Sequence, residues 1–136
     1  MARDAPEKLV QIGSAADIVA ARHEGRSLAS SLGFSSSELT VIATAISEVA
    51  RNIVEHAGRG EIWLSLCQQG SRLGVCVVAR DKGPGIPDVE KALRDGYSTQ
   101  KGLGLGLPGA RRLMDEFEII SQIGGGTTVT MRKWAP

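Results

Sequence analysis

Glu48 and Asn52 stand four residues apart in a run with helical periodicity, so their side chains stack one turn above the other. Asp81 opens a glycine-rich stretch, Asp81-Lys-Gly83-Pro-Gly85-Ile86-Pro87, and Lys101-Gly102-Leu103-Gly104-Leu105-Gly106-Leu-Pro-Gly109 forms a second one. Glycine is conformationally costly, so such clusters mark a backbone that turns sharply or approaches something closely. Backbone N–H groups ahead of a helix attract an anion, and Lys101 beside them can reach a terminal phosphate. The other reading of the second cluster is a tight loop whose glycines only relieve sterics. Asp81 falls at a strand end, where its carboxylate can accept a hydrogen bond from the exocyclic amine of a purine, with Gly83 and Gly85 letting the ring lie against backbone. It can equally cap its own turn at Lys82-Gly83. Together the clusters suggest a site for the phosphates of ATP, provided the chain also supplies a magnesium ligand, a base and a suitable fold.

Two familiar nucleotide motifs do not apply. Gly104-x-Gly106-x-x-Gly109 has the spacing of the dinucleotide fingerprint, but a polar loop precedes it instead of a strand. Gly124-Gly125-Gly126 occupies the place where the ribose-binding acid belongs. No GxxxxGK[ST] sequence occurs.

The elements that would hold these residues follow from pattern. A chain of 136 residues with 42% apolar content suits one domain, residues 1–136, around one core. A net charge of +1, 4% aromatic content and the lack of a basic run argue against nucleic acid as a partner. No apolar run approaches the ~18 residues of a membrane span, and the first residues lack an apolar signal core, so a cytoplasmic location and no membrane association are expected. Cys67 and Cys76 read as reduced packing residues in adjacent strands.

Residues 8–13 read as a strand. A helix capped by Ser14 and Asp17 runs to Gly33, with Arg22 and Arg26 one turn apart on its surface, either solvated or facing an acidic partner. A second helix starts at residues 35–37 and buries the stripe Leu39, Ile42, Ile46, Val49 and Ile53. On its wheel Asn52 sits about 90° from the stripe and Glu48 further round, both at the edge of the core; an ordinary polar flank would look the same. Residues 61–69 and 73–79 form a hairpin. A short helix over 89–93, a polar loop over 95–101, a helix from Leu105 or Gly106 to Met114, and strands over 117–123 and 127–133 complete the chain. The order β-α-α-β-β-α-loop-α-β-β implies an α+β fold, a two-layer sandwich whose mostly antiparallel sheet is covered on one face by helices.

Glu48-x-x-x-Asn52, Asp81-x-Gly83-x-Gly85, Gly102-x-Gly104-x-Gly106 and Gly126-Thr127-Thr128 occur in the order of the ATP-binding boxes of the GHKL (Bergerat) superfamily, which the chain resembles. Asp17 to Arg22, Thr44 to Glu48, Ala50-Arg-Asn52, the stretch from Asp81 to Asp88, and Arg112-Leu-Met-Asp-Glu-Phe117 are similar to the RsbT-like switch serine/threonine kinases of the stressosome, over nearly the whole chain. The resemblance implies ATP and Mg²⁺ as cofactors, and STAS-domain partners (RsbS/RsbR-like) that are phosphorylated on serine or threonine. It also implies a PP2C-type phosphatase that the released kinase activates. By the same resemblance Glu48 is the general base and Asn52 the magnesium ligand. Asp81 holds adenine, supported by Thr128, and Gly83, Gly85 and Ile86 pack on the base. Gly102, Leu103, Gly104, Leu105 and Gly106 wrap the triphosphate, with residues 95–101 as a lid. Lys101 as the γ-phosphate cation follows from charge and place alone. Leu105 stands where a smaller residue is expected, and Glu55-His56 where bulky residues are expected. A histidine there also fits the anti-sigma factor kinases, the alternative function.

Overall fold

The computed structural model describes residues 7–93 and 106–136. Strand β1 (Glu7–Ile12) leads into α1 (Ala15–Ala29) and a 3-10 turn (Ser30–Leu32), followed by α2 (Ser36–His56). A hairpin of β2 (Gly60–Gln69) and β3 (Arg72–Asp81) comes next, then the short α3 (Val89–Ala92) and α4 (Gly106–Leu113). A second hairpin, β4 (Glu116–Gln122) and β5 (Gly126–Trp134), closes the chain. All five strands pair antiparallel in the order β1-β2-β3-β5-β4. The fold is α+β, as the element order implied.

Helix α1 ends earlier than the pattern suggested. The Ser30 and Ser31 hydroxyls donate to the carbonyls of Ser27 and Leu28, and such local bonds compete with the helical ladder and tighten its last turn. At the other end no side chain caps a helical N–H: Ser14 does not, and the Asp17 carboxylate reaches back out of the helix, accepting from Gly13 N–H and Ser14 Oγ.

Because side chains alternate along a strand, Ile62, Leu64, Val77, Ala79, Val129 and Met131 share one face and are all buried. They meet Ile42, Ile46, Val49 and Ile53 of α2, with Ala21 and Ala29 of α1, in one core cluster. Arg26 donates to Thr40 Oγ1 at 3.2 Å and ties the two long helices together. Cys67 and Cys76 are both free thiols. Burial pushes both up from the ordinary thiol value, so neither is primed as a nucleophile. No helix among the described residues is long and apolar enough to cross a membrane.

The start of α2 is fixed by a reciprocal cap. Ser35 Oγ accepts from Glu38 N–H at 3.1 Å, and the Glu38 carboxylate accepts from Ser35 N–H at 2.9 Å. That cap sets the phase of the helix, and hence which residues face away from the sheet. Ser35→Ala is expected to cost about 1 kcal/mol, read as a lower urea midpoint with an unchanged slope.

Candidate functional site

The apolar stripe of α2 takes one side of the helix against the sheet. Glu48 points about 130° away from the middle of that stripe, yet it is only 7% exposed. The cover comes from α4. Glu48 Oε1 accepts the N–H of Gly106, the first residue of α4, at 2.9 Å. Its other oxygen, Oε2, lies 3.0 Å from Arg51 Nη1. A carboxylate kept from water with both oxygens held by donors is a positioned group, and an exposed polar flank would show neither feature.

Asn52 stands one turn further along α2. Its amide makes no side-chain hydrogen bond among the described residues, and it lines a cavity with His56, Gly85, Ile86 and Leu107. Leu107 directly follows Gly106, so the first turn of α4 touches both ends of the Glu48–Asn52 pair. A free neutral amide oxygen suits Mg²⁺, which takes few protein ligands and completes its shell with phosphate oxygens and water. Among the described residues no three His, Cys, Asp or Glu gather into a metal cage.

The end of β3, which leads into the loop that lines this cavity, presents Asp81, 7% exposed. Its Oδ1 accepts the Gly83 N–H at 2.9 Å, while Oδ2 accepts nothing among the described residues. The turn-capping reading of this aspartate is therefore met by one oxygen, and the other carries no partner among the described residues. The glycines of this loop are explained by the protein itself. A methyl at Gly83 would lie 2.6 Å from Ala57 Cβ at the end of α2, and one at Gly85 would run into the carbonyl of Gln122. Gly85 also has φ +82°, which a side chain disfavours. These glycines let the loop pack between α2 and the β4–β5 turn, and that packing aims Ile86 and the Gly85 backbone into the cavity.

The register corrects one expectation. Thr128 pairs with Arg80 and Ile120, whereas Asp81 pairs with Thr127. Because successive strand residues point to opposite faces, Thr128 is on the outer face of the sheet and cannot support Asp81. Thr127 is on the face of Asp81 and is 5% exposed. Its Oγ1 lies 2.8 Å from Ser121 Oγ, which accepts the Ile86 N–H at 2.7 Å and donates to the Gly126 carbonyl at 3.3 Å.

Glu48 and Gly106 are thus joined directly. Asn52, Gly85 and Ile86 share one cavity, and Asp81 reaches that loop through Gly83. Lys101, Gly102, Leu103, Gly104 and Leu105, and the lid expected over 95–101, lie outside the described residues. Sequence reading missed Arg51, Ser121 and Thr127. Arg51 was open to discovery as a cation three residues after Glu48, on the same helix face. Thr127 required the strand register, and Ser121 carried no signal of its own.

A family model described as the histidine kinase-like ATPase domain matches residues 13–133. The chain is 48% identical over 128 residues to the serine/threonine-protein kinase RsbT of Bacillus subtilis (strain 168), covering 94% of this chain and 96% of that protein. It is 32% identical over 103 residues to the anti-sigma F factor of Thermoanaerobacter sp. (strain X514), covering 71% of each. It is 33% identical over 103 residues to the anti-sigma F factor of Bacillus licheniformis, covering 71% of this chain and 69% of that protein.

Proposed function

The chain belongs to the histidine kinase-like ATPase family, and on that premise we propose that it is an ATP-dependent protein serine/threonine kinase acting on STAS-domain proteins of a stressosome. When released from them it activates a PP2C-type phosphatase. The observation that carries this reading is Glu48, a carboxylate held out of water by α4 one helical turn from an unengaged Asn52 amide. The long match to a serine/threonine-protein kinase supports the same activity.

In this reading Asp81 Oδ2 accepts the exocyclic amine of adenine, and Thr127 stands beside it. Ile86 and the Gly85 backbone form the wall against which the ring lies. Asn52 would hold Mg²⁺, which supplies charge neutralisation between the phosphates. The hydroxyl oxygen of the target serine or threonine attacks the γ-phosphorus, and the bond from that phosphorus to the β,γ-bridging oxygen breaks. ADP leaves with the electron pair, and the hydroxyl proton passes to Glu48. Such transfer needs little covalent chemistry from the protein, so positioning and charge stabilisation dominate.

Thr127 and Thr128 separate this account from a one-residue slip. Thr127→Val is expected to weaken MgATP binding about tenfold through loss of a buried hydrogen-bonding group. Thr128→Val, on the outer face, should leave affinity within about twofold, since surface changes are near neutral. Calorimetry on the two variants checks the pair.

A second reading is an anti-sigma factor that phosphorylates an antagonist STAS protein. The anti-sigma F relatives and His56, which lines the cavity one turn past Asn52, favour it. Pull-down from native lysate with and without MgATP tests both. Retention of a STAS protein that MgATP then phosphorylates and releases supports the switch kinase. Capture of a sigma factor in a stable complex would replace it with the anti-sigma reading.

A further inference from the structure

Arg51 is the cation in contact with Glu48, and its place in α2 gives it more to do than neutralise that carboxylate. It is 37% exposed, so it is not locked away as a structural ion. One nitrogen, Nη1, engages Glu48 Oε2. A guanidinium carries five N–H donors in a planar fork, so the remaining donors stay free to bind a second anion. No other partner of Arg51 occurs among the described residues. On the helix wheel Glu48, Arg51 and Asn52 share an arc of about 100°. Glu48 lies between the other two on that arc, with Asn52 about 40° to one side and Arg51 about 60° to the other, so a phosphate that meets Glu48 over this arc has Asn52 on one flank and Arg51 on the other.

Charge makes the same demand. Glu48 must come close to the γ-phosphate to take the proton of the attacking hydroxyl, and two anions in a partly dry site repel each other. Mg²⁺ at Asn52 would offset phosphate charge, but the cation that touches Glu48 itself among the described residues is Arg51. A cation touching Glu48 on one edge and the phosphate on the other removes that repulsion and fixes the distance between base and phosphorus.

We propose that Arg51 is the γ-phosphate-recognising residue of this site, bridging the terminal phosphate of ATP to Glu48. This rests on the nucleotide reading given above. It assigns Arg51 two effects: discrimination of ATP from ADP, and alignment of the base. ADP lacks the group that Arg51 contacts, so its binding should not depend on the guanidinium.

Calorimetry with Mg²⁺ and either ATP or ADP, in the absence of any protein substrate, tests the proposal. R51Q is expected to weaken ATP binding about tenfold to hundredfold, the range for a lost hydrogen bond to a charged group, and to change ADP binding less than about twofold. R51K, which keeps the charge but loses the fork, should recover part of the ATP affinity. Circular dichroism of both variants verifies that they are folded. Equal weakening of ATP and ADP, or an ATP-to-ADP affinity ratio unchanged in R51Q, would overturn the role of Arg51 and leave the nucleotide reading standing. Failure of the unaltered chain to bind either nucleotide would overturn both.

Discussion

Glu48→Gln is expected to slow phosphoryl transfer about a hundredfold to ten-thousandfold, the usual contribution of a general base, while ATP still binds. The substitution is nearly isosteric, and the amide oxygen can keep the bond from Gly106 N–H that now holds Oε1. The contact between α2 and α4 therefore survives, and the fold with it. What disappears is the negative oxygen proposed to receive the hydroxyl proton. The change also releases Arg51 from its ion pair, so affinity for ATP should not fall. Single-turnover transfer to a STAS-domain protein, paired with calorimetry on MgATP, gives the two numbers. The proposed activation of a PP2C-type phosphatase should survive in the same variant, because a protein surface and not the base would carry it. Equal loss of binding and transfer would mean that Glu48 holds the site together and is not its base.

Asp81→Asn is expected to weaken MgATP binding about tenfold to hundredfold, more than the loss of one neutral bond, because it sets donor against donor. Asp81 Oδ1 accepts the Gly83 N–H, and the amide oxygen of an asparagine can do the same. The loop then keeps its shape. The other position becomes an NH₂ group facing the adenine amine. Neither can accept, so each is left unpaired in a site where Asp81 is almost fully buried. Nucleotide affinity by calorimetry, with the unfolding midpoint as control, measures this. Unchanged affinity would argue that the base is held elsewhere.

The fold was legible because its signals are local and repeated. The stripe of α2 and the alternation of β2 and β3 each recur over several turns or residues, and the Ser35–Glu38 cap marks a boundary directly. The early end of α1 was hidden because serine hydroxyls bonding back to the helix leave no periodic trace. The site was legible in its spacing and less so in its contacts. Asp81, Glu48 and Asn52 stand out by type and position. The burial of Glu48 could not be read from α2, since α4 causes it from 58 residues away in sequence. The choice between Thr127 and Thr128 depends on which face of β5 meets Asp81. Only the pairing of β3 with β5 decides that, and a shift of one residue reverses it.

The most direct measurement of the central claim is transfer of label from γ-labelled ATP, with Mg²⁺, to a purified STAS-domain partner, followed by mapping of the labelled residue. The account predicts one phosphoserine or phosphothreonine on the partner, formed by the unaltered chain and nearly abolished by Glu48→Gln. Unlabelled partner in the presence of bound ATP, or equal labelling by the unaltered chain and the Glu48→Gln variant, would contradict it.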